Sequence, residues 1–364
     1  MKILSEQKQI LNDKESLNKI IILLILVAIA VLAYVSENLI GDYPRRLVML
    51  FAINVMLAIG LNIIFGFAGM FSLGHYGFMT IGAYVAVILS LSPEQRMSNF
   101  YVTKMVPWLE NVQIDPFVGI LIGGFVAAFF AILIGIPILK SLGDDYLGIA
   151  TLGFAEIIRV VITNLADITN GPLGIKGLPK FINVYWVFGF AIVAVIFAIR
   201  LGKVSSGRAL KAIRENEIAA EASGIGLLYH KVLALAIGSF FAGVGGALLG
   251  YWTATIDPKM FTQVQNFTFL TIIVTGGKGN ITGTVIMSFI ITIGMEVLRF
   301  VEEPMNIFGL QYSGIPGTRM LTFSVLLLII ILKFQRGIFK HEFSPRLFYT
   351  RPKFFNKIRW GNKK

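Results

Sequence analysis

In residues 60–84, GLNIIFGFAGMFSLGHYGFMTIGAY, glycines at positions 60, 66, 69, 74, 77 and 82 punctuate what would otherwise be two continuous apolar helices. The connection between the two runs is too short for a solvated loop. Non-helical backbone at membrane depth survives only where protein or a water-filled cavity satisfies its polar groups, and broken helices expose termini and carbonyls that transporters use at substrate sites. The stretch therefore predicts two membrane helices joined through a break. Asn62, Gly66, Gly69, Ser72, Gly74 and His75 become candidates for a translocation pathway. The competing expectation is that the glycines only let helices approach closely, with His75 as a hydrogen-bonded helix contact.

Outward from this break, apolar runs bounded by charges, prolines and polar clusters fall near 20–39, 47–66, 70–91, 117–138, 146–165, 184–201, 231–252, 265–276, 283–301 and 318–334. Each is near the length of about 20 residues that spans a bilayer. The chain of 364 residues is 56% hydrophobic and 14% charged, against roughly 45–50% apolar and about 25% charged in soluble domains. The expectation is an all-α polytopic membrane protein of about ten transmembrane helices with Gly-rich broken helices. Residues 1–19 form an N-terminal segment, 20–334 the transmembrane domain and 335–364 a basic tail. The run from Ile20 to Ala33 follows polar-rich residues and lacks a small-residue cleavage pattern, so it reads as a signal anchor.

An even number of spans puts both termini on one side. That side, with residues 1–19, 140, 200–231, 278 and 333–364, carries 22 of the 32 Lys and Arg residues. The positive-inside rule then makes both termini and the 202–230 loop cytoplasmic. The net charge of +12 reads as orientation charge and a tail held at anionic lipid, with no nucleic acid as partner.

Several chemistries lack their residues. There is no cysteine, and His75, His230 and His341 stand far apart, so thiolate sites and a histidine metal site are not expected. No GxxxxGK[ST] phosphate loop occurs, nor a GxSxG nucleophile. The chain is expected to hydrolyse neither ATP nor substrate.

Charges inside spans are few and therefore informative. Glu156 and Arg159 lie three apart on the fifth expected span, and Glu296 and Arg299 repeat the spacing on the ninth. That spacing puts both side chains on one face, where each neutralises the other. A substrate-contacting role for Glu156 and Arg159 is the alternative. A second Gly-rich break, TGGKGNITG at 275–283, is either a weak echo of the first, as in transporters built from repeats, or a tight cytoplasmic turn.

The segment 202–230, GKVSSGRALKAIRENEIAAEASGIGLLYH, is the longest cytoplasmic stretch between spans. Its pattern is helical, with Ser205 or Ser206 as cap, Gly224 and Gly226 as stop, and expected pairs Lys211 to Glu215 and Arg214 to Glu217. Ala209, Ala212, Ala219, Ala220 and Ala222 make a small-residue face fit for a soluble partner's cleft. An ordinary amphipathic connector is the plainer alternative.

Five blocks carry a resemblance: GLNIIFGFAGMFSLGHYGF (60–78), GDDYLGIATLGFAEIIRVVITNL (143–165), NGPLGIKGLP (170–179), GRALKAIRENEIAAEASGI (207–225) and SFFAGVGGALLG (239–250). Their order resembles the LivM-type permease subunits of bacterial branched-chain amino-acid ABC transporters, over about residues 45 to 340. The resemblance implies ABC importer permease architecture in the bacterial plasma (inner) membrane. It implies a homologous second permease (LivH-like), two cytoplasmic ATPase subunits that hold the ATP and Mg, and an extracytoplasmic binding protein, with no cofactor on this chain. It implies that 207–225 is the ATPase-coupling element, with Arg208, Lys211, Arg214, Glu217, Ala219, Ala220, Glu221 and Gly224 as its residues. Glu217 to Gly224 resembles the EAA loop of ABC importers, and the extra Ile218 leaves open which glutamate is the motif's acid. Loops 92–116, 166–183 and 302–317 are then expected to receive the binding protein, with Asn170, Gly171, Pro172, Lys176, Glu302 and Glu303 as candidates. Urea, amides and nucleosides remain alternative cargoes of the same architecture, and an ion-coupled secondary transporter is the rival from another class.

Overall fold

The computed structural model describes residues 41–141, 146–179 and 181–299, with 302, 305–307, 310–312, 317, 321–322, 324–325 and 328 beyond them. The expected span 20–39, the segment 1–19, the tail 335–364 and most of the span 318–334 lie outside the described residues. The helices are α1 (Asp42–Asn62), α2 (His75–Ser90), α3 (Pro93–Asn99), α4 (Pro107–Glu110), α5 (Pro116–Ser141), α6 (Leu147–Asn164) and α7 (Ala166–Thr169). They continue with α8 (Val184–Leu201), α9 (Ser205–Glu215), α10 (Glu217–Ala222), α11 (Leu227–Thr253), α12 (Gln263–Gly276) and α13 (Ile281–Arg299).

Among the described residues, α5, α6, α8, α11, α13 and α1 with its continuation to Phe67 are long and apolar enough to cross a membrane. Two of the expected spans are shorter. The 16 residues of α2 and the 14 of α12 reach about 24 Å and 21 Å at 1.5 Å per residue, less than the roughly 30 Å of a hydrocarbon core. Each short helix abuts one of the Gly-rich breaks. At its other end α2 turns through 119° into α3, where Ser92 and Gln95 form a reciprocal capping box and Pro93 opens the helix.

The bundle is built around α11, which is buried over most of its length, as is α1. It packs on α1, α2 and α5. Glycine makes this possible. A Cβ at Gly60 would stand 2.8 Å from the Gly238 carbonyl oxygen, one at Gly82 would strike the Gly243 backbone, and one at Gly246 the backbone of Met79. Backbones approach this closely only through small residues, which is how helices associate where lipid removes the hydrophobic drive. By contrast α5 and α6 bury only about a third of their apolar windows, so their outer faces are left for lipid or for another chain.

At the end of the bundle away from α9 and α10, antiparallel strands Ile175–Lys176 (β1) and Thr255–Ile256 (β2) tie two loops together. Strands Met305–Ile307 (β3) and Leu310–Tyr312 (β4) form a second antiparallel pair.

Candidate functional site

The first break begins as a π turn over Ile63–Phe67 and continues as non-helical backbone to Gly74. Its polar groups are met by protein. Leu73 N donates to Thr151 Oγ1 at 3.1 Å and Asn266 Nδ2 to the Ser72 carbonyl at 3.4 Å, while Ser72 Oγ lies 3.3 Å from Thr151 Oγ1. Helices α6 and α12 thus hold the strand of chain that α1 and α2 leave unpaired.

The second break packs directly onto the first. Gly277 and Gly279 take φ of 98° and 76°, conformations open to glycine, and Gly279 N donates to Asn62 Oδ1 at 3.0 Å. Asn62 Nδ2 donates in turn to Thr284 Oγ1 at 2.9 Å. A Cβ on Gly66 would collide with Asn62 Oδ1 and Gly279 N. The tight turn expected at 275–283 is therefore one half of a two-part joint, and Asn62 and Gly66 are buried within it.

Arg214 of α9 closes that joint. Its Nη1 donates to the Gly66 carbonyl at 2.6 Å, and a Cβ on Gly69 (φ 79°) would lie 3.0 Å from Arg214 Cγ. Lys211 places its ammonium 4.9 Å from the centre of the Phe67 ring, a cation–π contact.

The segment expected to be one helix is two. Asn216 leaves helical geometry (φ −162°, ψ 111°) and caps α10 by accepting from Ala219 N at 2.9 Å. The kink takes Glu217 away from Arg214. Instead Arg214 pairs with Glu215 at 2.6 Å and Glu217 with Lys231 of α11 at 2.7 Å. Lys211 packs on Phe67 rather than pairing with Glu215. The residue capping α9 is Val204, with no side-chain cap from Ser205 or Ser206. Gly224 does end the segment, at φ 81°, with Ile225 N returning to the Ala220 carbonyl at 3.1 Å. The alanines divide: Ala209 and Ala220 face inward, whereas Ala219 and Ala222 are exposed beside Ile218, which is 82% exposed. A cleft of about 450 Å³ lined by Lys140, Glu217, Glu221 and Tyr229 flanks α10, and one of about 480 Å³ lined by Ser205, Arg208, Ala212 and His230 flanks α9.

Residues 43–332 match the family described as branched-chain amino acid transport system / permease component. The chain belongs to this family. The high-affinity branched-chain amino acid transport system permease protein LivM of Escherichia coli is 30% identical over 77% of this chain and 69% of its own. The probable branched-chain amino acid transport permease protein LivM of Methanocaldococcus jannaschii is 27% identical over 82% of this chain and 93% of its own. The ribose import permease protein RbsC of Haemophilus influenzae is 24% identical over 79% of this chain and 84% of its own. The chain is accordingly an all-α, multi-pass membrane permease component of the ABC transporter type, a transport subunit and not an enzyme.

Other sequence candidates of this permease take different places. His75 is fully enclosed, its Nε2 3.1 Å from the Leu57 carbonyl and its ring against Phe269, so it joins α2 to α1. Gly74 packs on Thr151 of α6. Glu156 and Arg159 do stand on an open face: Arg159 Nε and Nη2 both reach Glu156 Oε2 at 2.8 Å, and the side chains are 46% and 43% exposed. On insertion scales a charge at mid-bilayer costs roughly 2.5–3.5 kcal/mol, so this face of α6 belongs against something other than lipid tails. Glu296 and Arg299 pair at 3.2 Å at the end of α13, where the Tyr43 hydroxyl also donates to Glu296.

The loops expected at the binding-protein face assemble around residues the sequence reading passed over. Asn99 of α3 grips β1 from both sides, accepting from Lys176 N at 2.7 Å and donating to its carbonyl at 3.0 Å. Gln95 Nε2 donates to the Gly177 carbonyl at 2.9 Å. Asn170 is buried, in a left-handed turn (φ 62°) that its own Nδ2 closes onto the Gly174 carbonyl. It shapes the loop from within, and Gly171 beside it is buried too, whereas Pro172 and Lys176 are exposed. Glu302 accepts from Gly317 N at 2.9 Å, and Glu303 lies outside the described residues.

Proposed function

We propose that this chain is a pathway-forming subunit of an ATP-driven importer for branched-chain or related neutral amino acids, in the plasma membrane with its termini cytoplasmic. In this reading it pairs with a second, homologous permease, is driven by two cytoplasmic ATPase subunits carrying ATP and Mg, and receives its cargo from an extracytoplasmic binding protein. The names of the two LivM relatives support the cargo, and the ribose permease shows why architecture alone does not choose it.

The observation that carries the mechanism is the position of Arg214 between the breaks at 63–74 and 277–280. A pull on α9 and α10 is transmitted through one guanidinium to four membrane helices at once: α1 and α2 across the first break, α12 and α13 across the second. ATP-driven approach of the ATPases then moves the α9 and α10 unit, and the breaks give while the glycine-packed core stays rigid. Each ligand shifts the permease only through its different affinity for the two states. The exposed residues Ile218, Ala219, Glu221 and Ala222, with half-buried Glu217 and the two clefts beside them, form the face offered to the ATPase.

The test is uptake by proteoliposomes holding the complete complex, with binding protein and radiolabelled leucine outside and ATP inside. Uptake that needs ATP and ignores an uncoupler supports the reading. Uptake that persists without ATP and collapses with an uncoupler belongs to an ion-coupled transporter and overturns it.

A further inference from the structure

We propose that Glu156 and Arg159 form a mid-membrane station that takes a zwitterionic amino acid, its ammonium on the carboxylate and its carboxylate on the guanidinium. This rests on the amino-acid importer reading and names the site within it. Glu156 is the tenth of the 18 residues of α6, so it lies about 13 Å from either end of a helix long and apolar enough to cross a membrane. Tyr76, itself almost wholly buried, reaches from α2 to donate to Glu156 Oε1 at 2.9 Å. With Arg159 Nε and Nη2 on the other oxygen, the carboxylate is fixed in position. Arg159 Nη1 meets no partner among the described residues, and the side chain is 43% exposed.

The surroundings fit the cargo's other end. On the same outward face, Ile149 is 70% exposed, Ile157 61% and Val160 49%, and a Cβ on Gly153 would meet nothing within 4 Å. The face thus offers one negative group, one positive group and a gap among branched apolar side chains. A zwitterion with a branched aliphatic side chain matches all three. A net-neutral dyad also suits a passage, because it orients a zwitterion without trapping either charge, and conduction needs a site weak enough to leave.

The test uses the complete reconstituted complex with binding protein and radiolabelled leucine. Glu156→Gln and Arg159→Gln are each expected to lower uptake at least tenfold, with the second permease and ATPases still co-purifying and ATP hydrolysis retained. The exchange Glu156→Arg with Arg159→Glu is expected to recover much of the loss. Because the chain contains no cysteine, Gly153→Cys gives a single thiol on this face, and Phe129→Cys one on α5, where Phe129 is 60% exposed. A membrane-impermeant maleimide is expected to label the first, with leucine slowing the reaction, and not the second. Uptake within twofold of wild type in the single variants overturns the site. So does loss of assembly in proportion to uptake with Gly153→Cys unlabelled, which makes the dyad a subunit contact. If the wild-type complex takes up no leucine, the amino-acid reading itself fails and the site falls with it.

Discussion

Arg214 donates from Nη1 to the carbonyl oxygen of Gly66 at 2.6 Å, across 148 positions of sequence. The bond joins a surface helix to the interior of a broken membrane helix, and the donor is charged while the acceptor is a carbonyl freed by the break. Hydrogen bonds to charged groups contribute about 1.5–3 kcal/mol, enough to hold the two parts together through a working stroke.

Replacing Arg214 tests that link. Lysine keeps the charge and loses the planar fork that reaches Gly66 and Glu215 together. Arg214→Lys is expected to cut ATP-driven leucine uptake about tenfold, which at about 1.4 kcal/mol per decade matches the lower end of that range. ATPase co-purification should stay near wild type. Equal loss of both would mean that Arg214 is part of the docking face and not of the joint.

Two glycines separate packing from conformational freedom. Gly66→Ala drives a methyl into Asn62 and Gly279, and overpacking of this kind costs about 1–3 kcal/mol. Gly153→Ala meets open space in a helix, where the exchange gains about 0.5–1 kcal/mol. Thermal unfolding in detergent should show the first variant melting below wild type and the second at or above it.

Ile218 offers an apolar side chain at the tip of α10 with little of this chain around it. Ile218→Asp is expected to leave the melting temperature within a degree or two, since exposed substitutions usually change stability by less than about 0.5 kcal/mol. The amount of ATPase that co-purifies should fall severalfold. Unchanged recovery of the ATPase would place the docking face elsewhere on the cytoplasmic surface.

Asn99 is the clasp on the opposite side. Asn99→Ala removes both bonds to Lys176 and one to the Gln95 carbonyl, at about 1 kcal/mol per bond. Protease added from outside is expected to cut the 170–179 loop faster in this variant, and binding protein should stimulate ATP hydrolysis less. Transport by the assembled complex at saturating binding protein should be the less affected quantity.

Sequence alone marked the long apolar helices among the described residues. Apolar runs long enough to span report directly on burial in lipid, and the run at 184–201 is the helix Val184–Leu201. A break was legible as well, since the connection between the runs 47–66 and 70–91 is too short for a solvated loop, although its extent from 63 to 74 was not. Asn216 was not legible as a kink, because an asparagine that caps one helix and ends another looks like any polar residue in a charged surface segment. That kink redirected Glu217 from Arg214 to Lys231.

Only the tertiary structure decided what the glycines do and where the polar residues face. Gly60 and Gly82 let helices touch, Gly66 and Gly279 let two breaks interlock, and Gly153 borders an open face, although all five read alike in the chain. His75 and Glu156 both looked like pathway groups, and burial separated them: one is enclosed against Leu57, the other stands nearly half exposed. Hydropathy measures the mean environment of a segment, whereas these roles depend on which neighbour fills each direction around a helix, and several of those neighbours lie some 80 to 220 residues away in the chain.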